Sequence, residues 1–79
     1  MPYPANKPLP SGVYRWSMIL AGPGPNGREV RFPCEGAYRV GAGDTVTALE
    51  IHEHVRAKCA TELGIPQHAA NTFNFNLHT

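Results

Sequence analysis

Apolar and polar residues alternate with a period of two along three stretches of this chain, and a helical period runs along a fourth. In Val13 to Ala21, Tyr14, Trp16, Met18 and Leu20 share one parity, opposite Val13, Arg15, Ser17 and Ile19. This predicts a strand whose heavier apolar side faces a core. The run 22 to 27, with two prolines and three glycines, then breaks any helix or ladder, and Asn26-Gly27 signals a turn. From Arg28 to Val40 the alternation returns: Val30, Phe32, Cys34, Gly36, Tyr38 and Val40 on one side, Glu29, Arg31, Pro33, Glu35, Ala37 and Arg39 on the other. Pro33 has no N–H to donate, which favours a sheet edge for this second strand of a hairpin.

Past the glycines at 41 and 43, a helix is expected, with Asp44, Thr45 or Thr47 as N-cap. Thr47 followed three residues later by Glu50 makes a capping box. At 100° per residue, Ala48, Ile51, His52, Val55, Cys59 and Leu63 form one face. Gly64 is the expected C′ glycine, and Pro66 prevents continuation. Last comes the alternating Thr72-Phe-Asn-Phe-Asn-Leu-His78, which places Phe73, Phe75 and Leu77 inward and Thr72, Asn74, Asn76 and His78 outward. The order is β-β-α-β. The helix must bury its apolar face, and one side of a three-stranded sheet offers the only large apolar surface, so the fold class is α+β with one helix packed on one face.

Residues 1–12 hold four of the eight prolines and read as a Pro-rich flexible arm. Residues 13–79 then form a single domain. No stretch approaches the roughly 20 apolar residues that cross a bilayer, and no secretory h-region is seen at the N-terminus. A net charge of +1 gives no long-range field toward nucleic acid. Two cysteines are too few for a disulfide-stapled secreted miniprotein. The expectation is a cytoplasmic, reduced domain without membrane attachment.

Asp44-Thr45-Val46, a helix carrying Val55-Arg56-Ala57-Lys58, and Glu62-Leu63-Gly64-Ile65-Pro66 before an alternating strand resemble the helix region of ubiquitin-like β-grasp proteins. The preceding hairpin fits that family as well. The resemblance implies a β-grasp-like core, a third strand running parallel to the first and hence a mixed sheet, and protein binding through the open sheet face. The helix is about two turns longer than the family's, the family's final strands are missing, and the sequence ends Leu77-His78-Thr79 without a diglycine. Conjugation and sulfur-carrier chemistry therefore do not carry over.

Candidate chemistry is sparse. Cys34 on the sheet and Cys59 on the helix both project inward, either as buried thiols or as a disulfide. His52, His54, His68 and His78 lack the convergent spacing of a zinc site, so no metal and no cofactor is expected. Neither serine has a positioned His-acid pair. The glycine-rich segments lack the P-loop and dinucleotide-binding signatures. What remains is the outward sheet face with Arg15, Arg31, Arg39, Asn74, Asn76 and His78, residue types suited to planar, multi-donor recognition. The leading reading is a non-catalytic binding module, an adaptor, inhibitor or regulatory protein, those of mobile elements included. It would engage a protein partner through this face or a strand edge, where two copies could also pair as a homodimer. The alternative is nucleic-acid binding by the same Arg/Asn face, against which stands the expectation that no aromatic points outward. A thiol- or metal-dependent small enzyme is third.

Overall fold

The structure, a computed structural model, describes residues 6–79. The alternating runs form β1 (Gly12–Pro23) and β2 (Glu29–Val40), the helical run forms α1 (Ala48–Leu63), and the tail forms β3 (Asn71–His78). The sheet order is β2-β1-β3. β1 and β2 pair without interruption from Gly12↔Val40 to Pro23↔Glu29. Their turn is a 3-10 turn, Pro25–Gly27, with Asn26 in a left-handed conformation at φ 62. Asparagine and glycine tolerate that region best, which is why this pair ends the hairpin.

α1 begins as its sequence dictates. The Glu50 N–H donates to Thr47 Oγ1 at 3.1 Å, and the Thr47 N–H donates to the Glu50 carboxylate at 3.4 Å, closing the capping box. The helix ends at Gly64 with φ 73, whose N–H returns to the last turn. Its sixteen residues advance about 24 Å, enough to carry the chain from the open end of the hairpin back to the turn end. β3 therefore starts beside Ala21 and finishes beside Arg15. It runs antiparallel to β1 and parallel to β2. The parallel pairing and mixed sheet implied by the β-grasp resemblance are replaced by a three-stranded antiparallel sheet with one helix.

The helix-side positions of β1, Tyr14, Trp16, Met18 and Leu20, are all buried, and they meet Ala48, Ile51 and Val55 of α1 and Leu77 of β3. Each large apolar side chain among them contributes roughly 1.5–3 kcal/mol by leaving water. Leu63, expected in this face, is instead 39% exposed, and Ala60 and Ile65 fill the end of the core with Leu20 and Ala70. Beyond Gly64 the chain doubles back and presents Ile65 where Gly22 has no side chain to obstruct it. Gly36 serves a similar purpose, because a Cβ there would lie 2.7 Å from Cζ2 of Trp16.

The proline-rich arm is part of the fold from Pro8 onward. Pro8 bridges to Thr47, the Leu9 N–H donates to the Val46 carbonyl at 2.8 Å, and Leu9 is buried in the main core. The Tyr14 hydroxyl donates to the Pro10 carbonyl at 2.7 Å. The domain thus extends back past the expected boundary at residue 13. The part of the arm before residue 6 lies outside the described residues.

Candidate functional site: the uncovered sheet face

The side of the sheet away from α1 carries the odd residues of β1 and β2. On β3 the assignment changes along the strand. Leu77 pairs with Trp16 and Asn76 with Ser17, but Phe73 pairs with Ile19 and Thr72 with Leu20. Met18 therefore faces two residues, Asn74 and Phe75, a β-bulge. Asn74 absorbs it with φ 55, and the Asn76 side-chain amide donates to the Asn74 carbonyl at 3.0 Å.

The bulge overturns part of the expected alternation. Phe75 and Leu77 point to the helix as anticipated, whereas Phe73 emerges on the uncovered face, 40% exposed. Thr72 turns under the helix, where its hydroxyl lies 2.5 Å from Nε2 of His52. The same His52 ring stacks on Phe75, centroids 4.4 Å apart and 20° from parallel. These contacts half-bury the imidazole, and desolvation, the largest effect, pushes its pKa below the ordinary value, against a smaller upward pull from Glu53.

Phe73 is not isolated. The Arg31 guanidinium carbon lies 4.9 Å from the centroid of its ring, reaching across β1 beside the small Ala21. Arg31 also donates to Glu29 at 3.3 Å. Pro33, Ile19 and Phe73 form one row across the three strands, since Ile19 pairs with both of the others. The expectation that no aromatic faces outward on this side is therefore wrong, and Thr72 and Phe73 are the residues that periodicity misassigned. A signal was present: two asparagines flanking Phe75 are the side chains that tolerate a left-handed bulge position.

The six residues expected to form the site do not converge. Arg15 lies opposite His78 on β3, next to Ser17 and Asn76. Arg31 sits six residues further along the sheet from Ala37, the partner of Arg15, a separation of about 20 Å. Arg39 lies opposite Val13, near the open end of the hairpin. Asn74 and Asn76 maintain the bulge. Two shallow depressions mark the face. One, of about 470 Å³, is lined by residues including Ile19, Pro33, Glu35, Asn74 and Asn76. The other, of about 580 Å³, is lined by residues including Arg15, Ser17, Glu35, Ala37 and His78.

Cys34 and Cys59 are both free and half-buried, packed against the same two apolar clusters. Burial first, and the neighbouring Cys34 second, push the Cys59 thiol up to about 11. At neutral pH it is protonated and a poor nucleophile. Cys34 directs its thiol at the Phe32 carbonyl, 3.5 Å away. Asp44 accepts from the Gly41 N–H at 2.7 Å, so the glycine-rich loop before α1 is closed by a carboxylate. Among the described residues no three or more His, Cys, Asp or Glu side chains gather as a metal site, and no helix is long and apolar enough to cross a membrane. No family model, curated protein or solved structure matches this chain.

Proposed function

We propose that this protein is a small non-catalytic binding module that takes a protein partner on the uncovered sheet face, centred on Phe73, Arg31, Ile19 and Pro33. One observation carries the reading: the bulge at Asn74 turns an aromatic ring out of the core and places it beneath a guanidinium. Aromatic and arginine side chains are the usual anchors of protein interfaces. Here they sit beside a shallow apolar row with polar residues at its margin, in the pattern of an interface centre and rim. An adaptor, inhibitor or small regulatory protein acts through such a surface.

The test is capture from the native host with wild type and the double variant Arg31→Glu, Phe73→Ala. Both side chains are exposed, so the variant keeps the native dispersion of its NMR spectrum. Loss of a stoichiometric protein partner supports the reading. Undiminished capture by the folded variant refutes it.

The outward Phe73 also favours a second reading, single-stranded nucleic acid stacked on the ring with Arg31, Arg15 and Arg39 along the backbone. Its mark is oligonucleotide binding that collapses between low and moderate salt. Salt-insensitive capture of a protein separates the two.

A further inference from the structure

Among the described residues the outer edge of β2 is unpaired, and α1 runs over β1 and β3, reaching β2 only with side chains at its margin. Val30, Phe32, Cys34 and Tyr38 on the helix side of β2 are consequently half-buried, while their counterparts on β1 are buried. An unroofed apolar strip thus borders an open ladder edge. Edges of this kind invite another strand. The charges on β2 indicate which strand. Glu29 and Arg31 neutralise each other within the chain at 3.3 Å. Glu35 and Arg39, both exposed and four residues apart, form no ion pair among the described residues.

We propose that β2 pairs antiparallel with β2 of a second copy about a two-fold axis at Ala37. This register sets Glu35 opposite Arg39 of the partner copy, and the reverse, giving two ion pairs across the axis. Tyr38 falls opposite the partner's Gly36, where the absent side chain leaves room for a ring, and Cys34 falls opposite the partner's Val40. Pro33, which has no N–H to contribute, lies just past the end of the ladder. Registers shifted toward Pro33 fail on the same residues. An axis at Glu35 sets Glu35 against itself and Arg31 against Arg39. An axis at Cys34 places Pro33 inside the ladder. An axis at Gly36 leaves both charges unpaired, with Arg39 facing Pro33. The product is a six-stranded sheet, β3-β1-β2-β2-β1-β3, with both helices on one side and a continuous uncovered face on the other. It rests on the edge of β2 and is independent of what binds Phe73.

Sedimentation equilibrium tests it with wild type, Glu35→Arg, Arg39→Glu and the swapped double variant. Wild type dimerises with a dissociation constant below about 1 mM. Each single reversal sets like charges opposite twice and weakens the dimer by about tenfold or more. The double variant recreates both pairs with exchanged signs and restores association. A wild type that stays monomeric throughout overturns the proposal. So does a single reversal that changes nothing, or a swap that fails to restore the dimer while its NMR dispersion remains native.

Discussion

β1 and β2 carry the same two-residue alternation over twelve residues each, and they pair without a break. Yet Tyr14, Trp16, Met18 and Leu20 are buried, whereas Val30, Phe32, Cys34 and Tyr38 are only half-buried. The difference is where one helix lies. α1 must lead into β3, and β3 pairs with β1, so the helix settles over that half of the sheet. A period of two states which side of a strand is apolar. It does not state whether anything covers that side. Two strands with equal sequence signals end up as the core and the rim of one small domain.

Truncation on each side gives the sharpest test of this comparison. Leu20 is fully buried, between Ala60, Ile65 and Ala70, so Leu20→Ala costs about 3–4 kcal/mol, a lost side chain plus a cavity. Phe32→Ala removes a larger side chain from a site that water already reaches, and costs about 1 kcal/mol in the monomer. Urea denaturation at low protein concentration measures both. If Phe32→Ala proves the more damaging, the helix covers β2 after all and the comparison collapses.

The second contrast lies within β3, between residues on either side of its bulge. Asn74 holds φ 55, a region that costs a β-branched residue about 1–2 kcal/mol and glycine almost nothing. Asn74→Val is therefore expected to lose about 1–2 kcal/mol, and Asn74→Gly to stay within about 0.5 kcal/mol of wild type. Equal stability of the two variants would mean that the strand runs straight, with Phe73 turned back into the core.

Sequence patterning read most of this architecture because local chemistry dictated it: the Thr47–Glu50 box, Gly64 as terminator and the alternating hairpin need no distant partner. The errors arose where tertiary contacts outweighed local ones. Phe73 left the core because a bulge lets Thr72 reach His52 and lets Arg31 cover the ring. Leu63 lost its place to Ile65 because the reversal after Gly64 brings Ile65 over Gly22. Leu9 was hidden among prolines, where its pairing to Val46 has no sequence pattern at all. The candidate site was legible as a face but not as a cluster, since its arginines share a side of the sheet without sharing a neighbourhood.

The gentlest probe of the covered and uncovered halves is acid. His52 sits on the covered side, against Phe75 and Thr72, with Glu53 and Arg56 as its charged neighbours on the helix. His54 sits toward β2, its ring edge-on to Tyr38 with centroids 5.7 Å apart. Burial lowers the pKa of His52 in the folded chain, so below the ordinary histidine value of about 6.5 the unfolded chain binds the proton more readily. Stability is therefore whole above about pH 6.5 and declines as pH falls toward the folded-state pKa, with a slope of at most about 1.4 kcal/mol per pH unit for one proton. The window from about pH 6.5 to 5 lies above the ordinary carboxylate range, which isolates the histidine from acid effects on Glu and Asp. Substituting His52→Gln removes the titrating group, and the decline in urea midpoint across that window should flatten. A slope that survives His52→Gln would mean that another group carries the acid sensitivity, and that the His52 ring is not held against Phe75 and Thr72.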